Sequence, residues 1–219
     1  MGVMKGIEFS ESKLKEILDQ LPIEAQSAFA ASCAQRIFTC YVEYARVAKS
    51  KKVDLDAYSE AISYVWNAVI AGNHDAIILN GLLERCMAVL PSEEDAWESG
   101  TPYAEDAAAA IIYSLRSLAS GCPQEAIWAA KRVYEAVDNF VVNTYNVNTN
   151  ATDGEKFILD HPIVSNELSR QLRDLNEIIN SKRDSESLKK TIKIIMERSK
   201  SESNDLFSEA SRHHHRPDL

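Results

Sequence analysis

Arg36, Asp106 and Glu135 have the best claim to chemistry in this sequence, because each is a charged residue on a helix that also carries an apolar face. A guanidinium beside Phe29 and Cys40, where Arg36 falls, would hold an anionic group. Asp106, which shares a helix side with Tyr113 seven residues on, or Glu135 would then move a proton. This reading of a small-ligand binder or enzyme requires the residues to converge in a cavity between helices. The competing reading makes each of them an interior charge held by an opposite partner, the usual condition of a buried ion. A second constellation lies on the stretch after Pro123, where Ala126, Ala130, Val133, Val137 and Val141 form a core stripe and Trp128, Arg132 and Glu135 line the opposite side. There the choice is between a second packed face, with Arg and Glu paired, and an exposed anchor for a partner, since Trp and Arg are enriched in interface hot spots.

Other chemistries lack their residues. Histidine is confined to His74, His161 and the run His213, His214, His215, so no Glu-x-x-His pair for a di-iron bundle and no His-Glu-x-x-His zinc motif occurs. The terminal triplet lies beyond the last helical pattern with nothing to orient it, and no metal site is assigned. Cys33 and Cys40 share a helix roughly 10.5 Å apart along its axis, too far to bridge. Cys86 and Cys122 have no cysteine neighbour in sequence. Cys33, Cys40 and Cys86 read as buried small hydrophobes, and Cys122, between Gly121 and Pro123, as exposed. With no nucleophile elbow, P-loop or dinucleotide fingerprint, no catalytic or cofactor-binding residue is assigned.

The elements that must position these residues are helices. Leu14, Ile17, Leu18 and Leu21 predict a short helix over Glu11–Leu21, and Ile23 to about Ser50 runs without glycine or proline. Asp54 caps Leu55–Ala71 and Gly72 ends it. Asp75 begins a fourth helix with Ile77, Ile78, Leu82, Leu83, Cys86, Met87 and Leu90 inward, closed by Pro91. Ser92 to Asp106 is an acidic interval, Glu93, Glu94, Asp95, Glu98, Glu105 and Asp106 without a basic residue, and with Gly100 and Pro102 it reads as a loop or broken helix between two helical halves. Tyr103–Ala119, carrying the run Ala107 to Ala110, is placed centrally; Pro123 to about Thr144 follows, then a loop over Asn143–Gly154. A helix from Pro162 buries Val164, Leu168, Leu172, Leu175 and Ile179 with Glu167, Arg170, Arg173 and Glu177 off that face, and a last one runs from Ser185 or Ser187 to about Ser199. The expectation is an all-α, single-domain bundle of about eight helices over residues 1–199, with 200–219 a flexible tail.

Four segments, in order, carry a family resemblance: "QSAFAASCAQRIFTCY" from Gln26 to Tyr41, Trp66 in the third helix, "AEDAAAAIIYSLRSLASGCPQEAIWAAKRVYEAVD" from Ala104 to Asp138, and "HPIVSNELSRQLRDL" from His161 to Leu175. Together they resemble the YjaG-like family of uncharacterised bacterial proteins over most of residues 12–180. The resemblance implies an all-α fold and a bacterial cytoplasmic origin, transfers no mechanism, and directs attention to Arg36, Trp66, Asp106, Arg132 and Glu135. After Asn180 the chain departs from the family pattern.

Composition narrows the function. The 219 residues carry a formal net charge of −9, distributed unevenly: residues 1–166 hold 23 acidic and 13 basic side chains, residues 167–219 hold 10 and 11. Such an acidic body repels phosphate backbones, and the basic clusters at Lys49, Lys51 and Lys52 and at Lys189, Lys190 and Lys193 read as solvated helix ends, so nucleic acid is not an expected partner. No apolar run reaches membrane-spanning length, no secretory leader pattern opens the sequence, and the cysteines fit a reducing cytoplasm, so a cytoplasmic protein without membrane contact is expected. The leading reading is a non-enzymatic helical protein-interaction domain, with self-association as one form of it. A narrower one is an immunity protein neutralising a basic toxin through Glu93, Glu94, Asp95 and Glu98.

Overall fold

The computed structural model describes residues 8–48, 53–151, 153–182, 184–204 and 206. Among them are ten α-helices and no strand: α1 Glu11–Leu18, α2 Ile23–Val47, α3 Leu55–Ala71, α4 Ala76–Ala88, α5 Glu93–Glu98, α6 Ala104–Ser120, α7 Pro123–Tyr145, α8 Gly154–Asp160, α9 Pro162–Ser181 and α10 Ser185–Ser203. The two beyond the expected eight are the short α5, inside the segment read as an acidic break, and the short α8, which follows the loop read over Asn143–Gly154.

Local chemistry sets most of the boundaries. Asp54 accepts from the Ala57 amide at 2.8 Å and starts α3. Gly72 and Gly121, at φ of 77° and 62°, take the left-handed conformation that stops α3 and α6. α7 opens on Pro123, whose missing amide hydrogen costs nothing in a first turn.

α2 is the axis of the bundle, with α6, α7, α3, α9 and α10 laid against it. Ala25, Ala28, Ala31 and Ala34 of α2 and Ala104, Ala107, Ala108 and Ala110 of α6 are fully buried, so the two backbones approach closely. The Ser27 and Ser117 hydroxyls meet across that seam at 3.2 Å. The central placement expected for the alanine run is therefore observed. On the α3 side, Tyr41 and Tyr58 pack with ring centroids 4.1 Å apart, and Trp66 Nε1 donates to Gln35 Oε1 at 3.3 Å.

Three packing expectations are corrected. In α4 the inward stripe is Leu79, Leu82 and Cys86, while Ile77 is 85% exposed and Ile78, Met87 and Leu90 also face outward. The helix is apolar on both sides, so periodicity does not say which side meets α3 and α6. In α9, Glu167 and Asp174 are buried although both are charged, and Leu172 and Ile179 are only half-buried. α10 continues past Ser199 to Ser203, and Leu206 beyond it is buried. His213 to His215, Lys49, Lys51 and Lys52, and the rest of the expected tail lie outside the described residues.

Candidate functional site

α5 is a single short turn and a half, held by its ends. The Ser92 hydroxyl accepts from the Asp95 amide at 3.1 Å and donates to the Asp95 carboxylate at 2.8 Å, Ala96 is buried, and the Thr101 amide returns to the Ala96 carbonyl at 2.9 Å. So fixed, α5 carries Glu93 and Trp97, one turn apart on one side, to the mouth of a cleft of about 570 Å³. α6 contributes Glu105 and Asp106, its first-turn acids, and α7 contributes Arg132, Glu135, Asp138, Asn139 and Asn143. A second cleft, of about 660 Å³ and mainly apolar, shares Trp97, Pro102, Tyr103 and Asn143 with the first and extends over Cys40, Val47 and Phe140.

The polar cleft holds five carboxylates and one guanidinium. Arg132 lies 3.2 Å from Asp106 and 3.6 Å from Glu105. Burial works against its charge, and Glu105 and Asp106 together outweigh that and raise its pKa. Asp106 is pushed up to about 7: burial raises it, Arg132 only partly opposes this, and Glu105 and Glu135 push further the same way. Asp138 is also raised by burial, partly countered by the Tyr134 hydroxyl donating to it at 3.2 Å. Burial lifts the Cys40 thiol to about 12, with Asp106 and Glu43 adding to it, so it carries no thiolate at neutral pH. Among the described residues no group of three or more His, Cys, Asp or Glu side chains is arranged to hold a metal ion.

Of the residues read as candidates, the structure brings Asp106, Arg132, Glu135 and Glu93 together in this cleft. The expected pairing of Arg132 with Glu135 is replaced by Arg132 with Glu105 and Asp106, while Glu135 lies 3.8 Å from Lys131. Trp128 sits on the outer face of α7, partly exposed, against Tyr113 at 5.5 Å, with Arg116 over the Tyr113 ring at 5.8 Å. Glu94, Asp95 and Glu98 are exposed on α5 and do not line the cleft.

Arg36 and Trp66 are corrections, because both lie in the core with relative exposures of 0% and 2%. Arg36 Nε and Nη2 donate to Glu167 at 2.9 and 3.0 Å, and Nη1 donates to Asp174 at 2.7 Å. The same carboxylates are tied further: Gln171 donates to Glu167 at 2.9 Å, and Arg173 and Arg198 donate to Asp174 at 3.0 and 2.8 Å. Burial opposes charge on Arg36, but Glu167, Cys33 and Asp174 outweigh it and hold its pKa well above the ordinary value. For Asp174 burial is likewise overcome, by Arg36 and Arg173, and its carboxyl is held low. A guanidinium so enclosed has no donor left for an anionic ligand, which removes the motive for the Arg36-centred pocket.

Trp97, Tyr103, Asp138 and Phe140 line the clefts and were not singled out by sequence, in which Glu105 figures only as a member of the acidic interval. For Asp138 the signal was present: with Arg132 and Glu135 it recurs at three-residue steps along one side of α7. For Trp97 it was the Ser92-x-x-Asp95 cap that makes α5 a helix.

A family model described as "Protein of unknown function (DUF416)" matches residues 13–204. The chain is similar to a solved DUF416 family protein from Shewanella baltica OS155, at 21% identity and a TM-score of 0.68, over 83% of this chain and 92% of that one. That similarity speaks for the fold. No curated protein matches the sequence.

Proposed function

The chain belongs to the DUF416 family of proteins of unknown function, and from that premise we propose that it is a non-enzymatic interaction domain whose contact face is the paired clefts between α5, α6 and α7. One observation carries the reading: a half-exposed Trp97 stands on the wall between an apolar cleft and a carboxylate-rich one. Exposed tryptophan at the junction of apolar and charged surface is what interface hot spots are made of. Cys40, the half-buried thiol that lines the apolar cleft, is raised to about 12 by burial first of all, so this face offers contact area and no thiolate. No helix of the described residues is long and apolar enough to cross a membrane. The resemblance of four segments to the YjaG-like group supports a bacterial cytoplasmic setting for the same role.

The test is a photo-crosslinking side chain placed at Trp97, in the native host, compared with one at exposed Glu186 on α10. A discrete adduct from the first position and none from the second is expected, and light scattering tells a second copy from a different protein. Identical patterns from both positions, or none from position 97, overturn the proposal.

A further inference from the structure

An apolar cleft alone accepts many occupants; the charge beside it selects among them. Around the polar cleft, Glu93, Glu105, Asp106, Glu135 and Asp138 face a single guanidinium, Arg132, which Asp106 and Glu105 already engage. Lys131 approaches Glu135 from outside at 3.8 Å but donates to Glu11 at 2.8 Å. The surplus is negative, so an anionic occupant is repelled and a cation is drawn in. The apolar cleft shares Trp97, Pro102, Tyr103 and Asn143 with the polar one, so a ligand that fills both must be cationic at one point and apolar at the next. A small amine would leave the 660 Å³ apolar side uncovered, whereas a chain with alternating side chains spans the shared wall.

Resting on the interaction reading above, we infer that the occupant is a basic segment of a partner protein, in which a lysine or arginine lodges among Glu135, Asp138 and Asp106 while its apolar neighbours cover Trp97, Tyr103 and Phe140. The charged contact steers encounter and fixes register, and the aromatic wall supplies the apolar burial. The cleft also gives the contact a dependence on acidity: as Asp106 takes up a proton near neutrality, the field facing the cation weakens.

Titration calorimetry of the full chain with the peptide acetyl-Leu-Lys-Leu-Lys-Leu-Lys-amide tests this, against the same peptide with Glu for Lys and against spermidine. Expected are binding of the basic peptide at least about tenfold tighter than either comparison and a weakening of at least about fivefold in both Trp97→Ala and Glu135→Gln. Weaker binding at about pH 6 than at about pH 8 is expected too. Glu94→Gln, on the outer side of α5, should leave the affinity unchanged and controls for general attraction to an acidic protein. Equal affinity for the acidic peptide, equal affinity for spermidine, or indifference to both cleft substitutions overturns the inference. An adduct at position 97 with no basic-peptide binding overturns the inference and leaves the interaction domain standing; absence of both removes both.

Discussion

Replacing Arg36 by Met tests how this fold is held. In the wild type its guanidinium satisfies Glu167 and Asp174, all three essentially without solvent exposure. The two carboxylates differ in what they keep when it goes. Asp174 retains Arg173 at 3.0 Å and Arg198 at 2.8 Å, but Glu167 retains the Gln171 amide at 2.9 Å and, among the described residues, no ion pair. Arg36→Met therefore strands one buried carboxylate, a loss of about 3–5 kcal/mol, or a fall of roughly 6–20 °C in melting temperature for a domain of this size. Changing Glu167 to Met as well removes the stranded charge and should recover at least about 2 kcal/mol, so the double variant is more stable than the single one. The pH dependence separates this account from simple loss of packing. In the wild type, Asp174 is held low, so its contribution is present above the unfolded pKa and is lost as pH falls through the folded one. In Arg36→Met a buried carboxylate left without its cation favours the neutral form, so as pH falls from about 7 to about 5 that variant should gain stability relative to the wild type, in which Asp106 acts equally. Urea denaturation of the wild type, the single and the double variant across that range measures both effects. A single variant within about 1 kcal/mol of wild type, or a double variant less stable than the single, would refute the reasoning.

Two further perturbations follow from the geometry. Asp106 ionises near 7 in the fold against about 3.9 in the unfolded chain, so wild-type stability should fall by up to about 4 kcal/mol as pH rises from about 4 to about 7 and level off above. Asp106→Asn should flatten that slope in urea denaturation while Arg132 keeps Glu105; an unchanged slope would remove Asp106 as its source. Gly81 lies inside α4, where an added Cβ would meet nothing within 4 Å, so Gly81→Ala should stabilise by about 0.5–1 kcal/mol. A lower melting temperature in that variant would mean that α4 is not a plain exposed helix there.

The parts of the fold that local chemistry decides were legible in advance. α3 has its expected limits because Asp54 and Gly72 carry the cap and the stop in their own side chain and backbone. α6 is central because its alanines leave room for α2, again a property of the residues themselves. What was not legible depends on partners far along the chain. Glu167 reads as a surface charge on α9 until Arg36, 131 residues away, is set beside it. α5 and α8 are of six and seven residues, too short to be stable alone; Ser92 and Asp95 mark where α5 starts, but both helices are held by packing that the local pattern does not report. The cleft divides the same way. Arg132, Glu135 and Asp106 were legible because α6 and α7 are long and periodic, whereas Trp97 joins them only once α5 folds across those helices.

Two clusters of the same residue types differ in how their charges balance. Around α9 and α10, Arg36, Arg170, Arg173 and Arg198 meet Glu167, Asp174, Glu177 and Glu202 one for one, so their field closes on itself and ties α2, α9 and α10 together. At the α5–α6–α7 cleft the ratio is five carboxylates to one guanidinium, and the field stays open. Stability alone does not ask for such a surplus: like charges around a partly buried site cost free energy, and Asp106, raised first by burial, is pushed further by Glu105 and Glu135. On the proposed reading, a cation from elsewhere completes this cluster beside the exposed tryptophan. Neutralising Glu135 should therefore leave the fold intact or firmer while weakening its occupant, the opposite of what neutralising Glu167 would do.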